Sequence, residues 1–416
     1  MTAAPPPRLI DILVVGAGAA GLFSGTWAGR TAAAAGKNLA IVAVDSARKL
    51  GAKILVAGGG RCNVTHQSVS EADYAGSTPA AIRKVLRRFG VSECVAFFEA
   101  AGVFFKTEDT GKLFPITDSA RTVLEALIRA ASRAGVELVH PAKVTAIEKT
   151  DAGFVVLTDA ASFLAQRVML CTGGKSLPKS GSDGSGFAIA TSLGHSLTSP
   201  IVPALVPLVL PAGHWITSLS GLTLDTEVTL RAASTKKLFA TTGSTLCTHM
   251  GLSGPAILDV SRHWLVAHAA DPHVTLSLTW LPGTHADALD KLLVDHQRRG
   301  ALAILRERLP DRLARCLCEQ ATAPPTGDLS RDARRRLVAL ATATPLAIAG
   351  DRGFSVAEAT AGGVPLAEVR LETMESRICP GLFLAGEVLD VDGRIGGFNF
   401  QWAWASGFVA GCAAAT

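Results

Sequence analysis

The sequence predicts an α/β fold in which a parallel, doubly wound sheet is interrupted by an inserted domain rich in strands. Three observations carry this prediction. A glycine-spaced turn follows an apolar strand near the N-terminus, strands and helices alternate after it, and prolines with alternating strands begin after Pro200. Alternating strands and helices are typical of a parallel sheet covered by helices. A buried strand and a helix return at the C-terminus, so we expect the first domain to be discontinuous.

The composition is that of a globular protein with a large core. Of the 416 residues, 48% are hydrophobic and 18% are charged, and the eight cysteines show no CxxC spacing. That cysteine pattern argues against structural zinc and a disulfide scaffold, and we expect no metal site. No apolar run approaches the roughly 20 residues that span a bilayer, and the N-terminus lacks a signal-peptide core. We therefore expect a cytoplasmic protein without a membrane partner; its oligomeric state stays open.

The turn after the apolar run 12–15 is the first candidate site. Gly16, Gly18 and Gly21 stand at the spacing of a dinucleotide-binding turn. The first allows the tight turn, the second lets the backbone approach a pyrophosphate, and the third lets helix and sheet pack closely. The helix that follows would present its free N–H groups to the phosphates.

An acid at the end of the second strand completes this pattern. The apolar run 39–44 ends in Asp45, 24 residues past the last glycine of the turn. A carboxylate there would hold the hydroxyls of an adenosine ribose. Three consecutive glycines, 58–60, follow beside Arg61 and Asn63. Such a segment suits a backbone lying against a flat ring or a phosphate, although a plain flexible loop is the alternative.

The next strands indicate which dinucleotide is bound. Residues 136–140 form the expected third strand, the run 144–157 reads as an antiparallel pair, and the chain returns on 167–171 before Thr172 and Gly173. A parallel sheet that carries a small β meander and re-enters on a strand ending in Thr-Gly-Gly is the layout of FAD-binding Rossmann domains.

The C-terminal segment is expected to complete the flavin half of the site. The buried run 381–386 is followed by Glu387, and Gly396 and Gly397 precede a helix. An acid in that place can bind the ribityl hydroxyls of a flavin. The helix start can aim N–H groups at the pyrimidine carbonyl, which stabilises negative charge on the reduced ring. The alternative is a plain terminal strand and helix.

We divide the chain into four segments. The FAD-binding Rossmann domain begins with 1–199 and returns in 346–416. An inserted domain, β-barrel-like or sandwich-like, occupies 200–283, and a small helical subdomain occupies 284–345. The helical subdomain is rich in arginine, but acids are interleaved with the arginines. An ordinary ion-paired surface is therefore the simpler interpretation.

Six motifs follow one another through nearly the whole chain: GAGAAG at 16–21, GGGRCN at 58–63, CTGGKSLPKSGSDGSGF at 171–187, THMGLSGP at 248–255, TMESRICPGLFLAGEVLDVDG at 373–393 and GGFNFQWAWASG at 396–407. In this order they resemble the BaiN-type flavoproteins, also described as aminoacetone-oxidase-like or YhiN-like FAD/NAD(P)-dependent oxidoreductases. The resemblance implies a discontinuous FAD-binding Rossmann domain with an inserted β-barrel and a small helical subdomain.

The resemblance also assigns residues of these motifs to the cofactor. The ADP half of FAD would be held by Gly16, Gly18, Ala19, Ala20, Gly21, Asp45 and Ser46. The flavin half would be surrounded by Arg61, Cys62, Asn63, Gly386, Glu387, Gly397 and Asn399. The cofactor would also contact Gly60, Thr172, Gly173, Gly396 and Phe398. Ser244 and Ala361 stand where the wider family commonly has Glu and Arg, which makes it unsafe to transfer a substrate from other members.

The resemblance implies several activities. They are reduction of a ribosomal RNA uridine to dihydrouridine, oxidation of aminoacetone, and reduction of an unsaturated, steroid-like substrate. The chain has one complete GxGxxG, so NAD(P)H, if used, would dock transiently over the flavin. The RNA hypothesis fits the net charge of +5 and the arginine-rich helices, since phosphate contacts supply most non-specific affinity.

Two side chains are candidates for the proton donor that such a reduction needs. Cys62 and His249 both lie in motif loops and can donate a proton. The alternatives are that Cys62 only packs beside the ring and that His249 only braces the inserted domain. A hypothesis of a different class is a non-catalytic flavin-binding RNA or assembly factor.

Overall fold

The computed structural model describes residues 6–324 and 329–416. The chain divides into two compact units. The first comprises the chain up to Pro203 together with Phe354–Thr416, and the second is Ala204–Gly353. The second unit therefore interrupts the first in sequence, at bounds a few residues from those of the predicted insertion. No helix in the described ranges combines the length and the apolar character needed to cross a membrane.

The elements before the interruption alternate between strands and helices. They are β1 Arg8–Val15, α1 Ala19–Ala34, β2 Ile41–Val44, α2 Ala52–Gly60, β3 Thr65–His66, β4 Tyr74–Gly76, α3 Pro79–Leu86, α4 Val91–Ala100, β5 Phe105–Thr107, β6 Lys112–Pro115, α5 Ala120–Arg133, β7 Val136–Val139, β8 Val144–Thr150, β9 Gly153–Thr158, β10 Ser162–Leu170, α6 Ser185–Ser192 and β11 Val202–Ala204.

The second unit has strands at both ends and helices between them. Its elements are β12 Leu208–Val209, β13 Thr223–Arg231, β14 Lys237–Thr248, β15 Gly251–Ser253, α7 Pro255–Ala270, β16 Thr275–Thr279, α8 Ala286–Asp295, α9 Ala301–Arg306, α10 Asp311–Ala321, α11 Arg331–Ala343, β17 Thr344–Leu346 and β18 Gly350–Asp351. The return segment adds β19 Ala359–Ala361, β20 Val369–Arg370, β21 Glu375–Ser376, β22 Leu382–Leu384, β23 Val391–Gly393 and α12 Phe398–Ala414.

The main sheet of the first unit has the strand order expected of a Rossmann domain. Its parallel part runs β7-β2-β1-β10-β22, with β21 and β20 added antiparallel at one edge. The strands β8 and β9 continue antiparallel from β10 as the meander. All four residues of β2 are buried, as a central parallel strand requires. The predicted α/β class, the third strand, the meander and the returning strands are therefore confirmed.

The sheet of the second unit corrects one prediction. Its strands follow the order β17-β16-β13-β14-β15-β12-β18, and no pairing between the two end strands closes this ladder in the described part of the chain. A barrel needs a continuous ladder around its axis, whereas β18 has only two residues. The expected β-barrel is therefore an open, mainly antiparallel sheet.

The helices of the second unit share its core. Leu289, Leu313 and Leu337 on α8, α10 and α11 belong to the same buried hydrophobic cluster as Val228 and Leu278 of the sheet. These residues bury apolar surface against one another, which is the dominant favourable contribution to such packing. The segment predicted as a helical subdomain thus packs with the sheet in one unit.

Candidate functional site

Two glycines of the first turn are required by the packing of the protein itself. Gly16 has φ +95°, and a Cβ built on it would lie 2.5 Å from the carbonyl oxygen of Cys171 at the end of β10. A Cβ on Gly21 would lie 1.7 Å from the carbonyl oxygen of Gly16. The ends of β1 and β10 and the start of α1 therefore meet so closely that only glycine fits.

Gly18 differs from its neighbours because the protein leaves space beside it. Its φ of −83° is open to any residue, and no side chain caps the start of α1 at this position. A Cβ built on Gly18 would meet no atom within 4 Å. An uncapped helix start with free N–H groups and empty space in front of it is suited to an anion such as a phosphate.

Asp45 connects the end of β2 to this turn. Its Oδ2 accepts a hydrogen bond from the N–H of Ala17 at 2.7 Å, and its Oδ1 accepts one from Ala47 at 2.8 Å. A carboxylate offers about four acceptor positions, so two stay available for ribose hydroxyls. A Cβ built on Gly181 would lie 3.5 Å from Ser46 Oγ, which brings the loop after β10 to the same place.

That loop contains two buried hydroxyl groups that have no hydrogen-bond partner among the described residues. They are Thr172 Oγ1 and Ser182 Oγ. A Cβ on Gly173 would lie 2.7 Å from Ser182 Oγ, and one on Gly186 would lie 1.8 Å from Thr172 Oγ1. A buried polar group without a partner is unfavourable. A polar ligand that reaches this loop would supply the missing partners.

The glycine-rich segment after α2 bends sharply. Gly58, Gly59 and Gly60 have φ of +57°, +68° and +85°, and Cys62 has φ +60°. The Cys62 side chain has no exposed surface and belongs to the core of the first unit. Burial raises the pKa of its thiol well above the ordinary value, so the thiol keeps its proton at neutral pH.

The start of α12 lies next to this segment. A Cβ built on Gly397 would lie 2.8 Å from Asn63 Oδ1, a buried oxygen that has no hydrogen-bond partner. No side chain caps α12. Tyr74 Oη donates a hydrogen bond to the carbonyl oxygen of Phe398 at 2.8 Å, and His66 stacks on the Phe398 ring with centroids 4.9 Å apart. The helix start is thereby fixed while its N–H groups stay free for a ligand.

Two residues predicted to contact the flavin are engaged with the protein. Arg61 donates a hydrogen bond to Glu108 at 2.5 Å, and its guanidinium lies 4.0 Å from the centroid of the Phe114 ring. The Asn399 side chain accepts from the N–H of Gly393 and donates to its carbonyl oxygen, both at 2.9 Å. Both side chains therefore stabilise loops around the site in this structure.

Glu387 lies in a network that the sequence does not reveal. Its carboxylate forms an ion pair with Lys53 of α2 and accepts a hydrogen bond from Ser176 Oγ at 2.8 Å. A Cβ built on the preceding Gly386 would lie 2.7 Å from the Cβ of Ala20. The acid therefore lies close to the start of α1, as a dinucleotide site requires. Only the position of Lys53 near the glycine-rich segment could have drawn attention to it.

Glu358 is a second residue that sequence reasoning missed. Its carbonyl oxygen lies 3.4 Å from Ser176 Oγ, which places it beside the same network. Desolvation raises the pKa of its carboxyl, although Lys112 and Lys53 oppose the shift. A carboxyl with a raised pKa holds a proton at higher pH than usual and can act as an acid.

The structure thus brings most of the predicted cofactor residues together in the first unit. These residues form two groups of neighbours. One group contains the glycine turn, Asp45 and the Thr172 loop, and the other contains the glycine-rich segment and the start of α12. His249 is found in the second unit, in the exposed turn between β14 and β15. The catalytic roles of Cys62 and His249 stay predictions.

The comparison with protein families decides the family. The family profile described as HI0933-like protein Rossmann domain matches residues 10–413. The chain belongs to this family. A relative in Clostridium scindens, a 3-dehydro-bile acid delta(4,6)-reductase, is 35% identical over 97% of this chain and 98% of its own length. A ribosomal RNA dihydrouridine synthase of Escherichia coli is 31% identical over 95% of this chain and 96% of its own length.

A solved structure is similar to this chain in fold over its whole length. The 3-ketosteroid-delta4-(5alpha)-dehydrogenase of Rhodococcus jostii matches with a TM-score of 0.50 and 15% identity, over 100% of this chain and 98% of that one. The predicted BaiN-type resemblance is confirmed, and the chain is a flavin-dependent oxidoreductase of the HI0933-like family. The unpartnered hydroxyls, the empty space at Gly18 and the uncapped helix starts fit FAD.

Proposed function

We propose that this enzyme reduces a carbon–carbon double bond conjugated to a carbonyl group. The names of its relatives carry this proposal. A 3-dehydro-bile acid with delta(4,6) unsaturation has double bonds conjugated to a ketone, and uridine has one conjugated to a ring carbonyl. In both compounds, hydride adds to the carbon remote from the carbonyl and a proton adds to the carbon beside it. The two named reactions thus share one chemistry.

The residues of the first unit would hold the cofactor for this chemistry. When bound, FAD supplies the hydride. The turn at Gly18 would receive the pyrophosphate and Asp45 the ribose, while Glu387, fixed by Lys53 and Ser176, would face the ribityl chain. The free N–H groups at the start of α12 would stabilise negative charge at the pyrimidine ring. NAD(P)H would reach the site transiently as the electron donor.

A proton donor must complete the reaction, and Glu358 joins Cys62 and His249 as a candidate. Its side chain is exposed and can meet a substrate, and desolvation by its surroundings shifts its pKa upward, in the direction that a general acid needs. Cys62 also holds its proton, but its thiol is enclosed in the core. We expect Glu358→Gln to lower turnover and to remove the basic limb of the pH profile, at which the carboxyl of the wild-type protein loses its proton. An unchanged profile would eliminate Glu358 as the donor.

The second part of the proposal concerns the class of substrate, and we favour a small molecule over RNA. Most arginines of the helical segment already have protein partners. Arg334 pairs with Asp290 at 2.8 Å, Arg315 with Asp311 at 2.8 Å, and Arg299 with Glu307. Paired arginines offer less charge to a phosphate backbone. This arrangement agrees with the ion-paired surface expected from the sequence.

The RNA candidate rests on the dihydrouridine synthase relatives and has a direct test. Nucleoside mass spectrometry of ribosomal RNA compares a strain lacking this gene with its parent and with strains complemented by the wild-type gene or by a Gly18→Leu variant. Unchanged dihydrouridine would support the small-molecule substrate. Loss of a two-hydrogen gain on one uridine, restored by the wild-type gene alone, would overturn our preference and establish RNA as the substrate.

The reaction itself is tested with purified, FAD-loaded protein under anaerobic conditions. We expect NADH or NADPH to be consumed in the presence of a 3-keto-4,6-diene steroid, with a product two hydrogens heavier. The matched control is the corresponding saturated 3-ketone. Consumption of oxygen with a small amine, without reduction of any conjugated compound, would instead indicate an oxidase.

A further inference from the structure

The second unit contains a cavity lined in part by the turn that carries His249, one of the candidate proton donors. Its volume is about 410 Å³, and its walls include Thr248, His249, Met250 and Ser253 of the THMGLSGP motif. Cavities that bind small molecules commonly measure about 300–1,000 Å³. This motif is therefore part of a space large enough for a small organic ligand.

Main-chain hydrogen bonds fix the walls of this cavity on strand β12. The carbonyl oxygen of Met250 accepts from the N–H of Leu210 at 3.0 Å, and the N–H of Arg352 donates to the carbonyl oxygen of Pro207 at 3.2 Å. Pro207 directly precedes β12, and Leu210 directly follows it. The turn that carries His249 and the residue Arg352 are therefore held at opposite ends of one short strand.

The turn that carries His249 is also stabilised from within. Thr248 Oγ1 accepts hydrogen bonds from the N–H groups of Met250 and Gly251 at 3.3 Å and 3.1 Å. These bonds are typical of a side chain that holds a local turn. The backbone on this side of the cavity is thus set by the protein before any ligand arrives.

The lining combines apolar side chains with polar side chains that carry no negative charge. Met250 supplies exposed apolar surface, while Leu208 and Cys247 are buried behind it in the core of the unit. Burial raises the pKa of the Cys247 thiol to about 11, so this sulfur is neutral. Arg352, His249 and Ser253 also line the cavity, and none of their side chains has a hydrogen bond or ion pair with the described residues. No Asp or Glu is among the lining residues.

We propose that this cavity binds the anionic end of a small amphipathic molecule, either a carboxylate or a phosphate monoester on an apolar body. The guanidinium of Arg352 is a free cation that matches the planar or tetrahedral oxyanion with paired hydrogen bonds. The apolar part of the lining covers the body of the ligand. The binding does not depend on the reduction proposed above, in which Arg352 has no role.

Calorimetric titration of full-length, FAD-bound protein tests the proposal with three probes of one shape. They are 4-phenylbutanoate, 4-phenylbutyl phosphate and the neutral 4-phenylbutanamide. We expect saturable binding of at least one anion, and amide binding about tenfold or more weaker, because only the anions pair with Arg352. The anion that binds more tightly shows whether the cavity prefers a carboxylate or a phosphate monoester. Equal binding of the amide, or no saturable binding of either anion, would overturn the proposal.

Substitution of the arginine locates the binding. We expect Arg352→Gln to weaken the anions about tenfold and to leave the amide unchanged. The matched control is Arg298→Gln, an exposed arginine of the same unit that does not line the cavity. Equal anion affinity in wild-type and Arg352→Gln protein would contradict the assignment. Because no turnover is measured, failure here leaves the proposed reduction untouched.

Discussion

At the scale of single residues, the glycines of the first turn have separable roles. Gly21 is demanded by the protein, because a Cβ would lie 1.7 Å from the carbonyl oxygen of Gly16. Gly18 is not, since its Cβ would meet no atom within 4 Å. Conformation and internal packing therefore leave Gly18 free to vary, and a bound pyrophosphate is the reason we infer for glycine at this position.

The first prediction follows from that difference. We expect Gly18→Leu to fold with a loss of about 1 kcal/mol or less in the free energy of unfolding, yet to purify without flavin absorbance, because the side chain fills the phosphate space. The control Gly21→Ala should lose about 3 kcal/mol through its backbone clash. Urea unfolding and absorbance measure the two effects. A yellow Gly18→Leu protein with unchanged FAD affinity would refute the assignment of the turn.

Another residue-scale feature is a buried chain of hydrogen bonds in the first unit. His195 Nδ1 lies 2.7 Å from Glu368 Oε2, and His195 Nε2 lies 2.9 Å from Ser376 Oγ. The order matches that of a hydrolase triad, but Ser376 has no exposed surface and its Oγ also accepts from the N–H of Cys379 at 2.8 Å. The three side chains therefore connect the return segment to the loop after α6.

The charge on Glu368 should contribute to stability in a pH-dependent way. Burial alone would raise its pKa, but hydrogen bonds from Ser196 and His195 outweigh burial and lower it. The stabilisation is then complete above the ordinary pKa of the carboxyl and is lost as the pH falls through the lowered value. We expect Glu368→Gln to lose about 1–3 kcal/mol at neutral pH.

Urea unfolding of wild-type and Glu368→Gln protein across pH measures this contribution. The difference between the two proteins should shrink as the solution becomes acidic, because the wild-type carboxyl is then protonated too. A difference that stays constant from neutral to acidic pH would show that the charge contributes nothing.

The role of a residue can be predicted from the sequence when its partners lie close to it along the chain. The glycine turn and Asp45 were predictable because their roles follow from local spacing and from strand ends. The ion pair between Lys53 and Glu387 joins residues 334 positions apart, so no local pattern indicates it. The hydrogen bonds of Arg61 and Asn399 to other residues could not be predicted from the sequence either, because they depend on loops that the fold brings together.

At the scale of elements, α1 and α12 pack through small residues. A Cβ built on Gly411 would lie 2.2 Å from the carbonyl oxygen of Ser24, and one on Gly407 would lie 3.0 Å from that of Ala20. The two helix backbones are therefore in near contact. Because Gly407 lies against Ala20, the start of α12 at Phe398 is nine residues, or about 13 Å along the helix, beyond the start of α1.

The element-scale prediction concerns that contact. We expect Gly411→Ala to destabilise the protein by about 1–3 kcal/mol, although alanine is the better helix former. The control is Gly25→Ala on α1, whose Cβ would come no closer to any atom than 3.4 Å, the distance to the Val136 methyls. Gly25→Ala should be neutral or slightly stabilising. Equal stability of both variants by urea unfolding would argue against close packing of the helices.

The sequence predicted strands better than it predicted how a sheet ends. The runs that form β13, β14 and β16 alternate over enough residues to be recognised. The strands β12 and β18 have two residues each and leave no periodic trace. Closure into a barrel depends on what such short edge strands pair with, and the sequence contains no signal for that.

At the scale of the whole molecule, one unit provides the predicted FAD site and the other a separate cavity. The open Rossmann sheet gathers the cofactor residues from segments at both ends of the chain. Four of the ten arginines of the helical segment form ion pairs with acids of the same unit, which reduces the basic surface that first suggested RNA. Family membership establishes the class of chemistry, and the conjugated double bond is our proposal for its substrate.

A single-turnover experiment tests that proposal most directly, because it removes the question of the electron donor. FAD-loaded protein is reduced anaerobically with dithionite and mixed with a 3-keto-4,6-diene steroid, its saturated ketone, or ribosomal RNA from a strain lacking the gene. We predict that a conjugated compound restores the oxidised flavin spectrum and gains two hydrogens, while the saturated ketone does neither. Reoxidation by oxygen alone, with every conjugated compound inert, would contradict the proposed reduction.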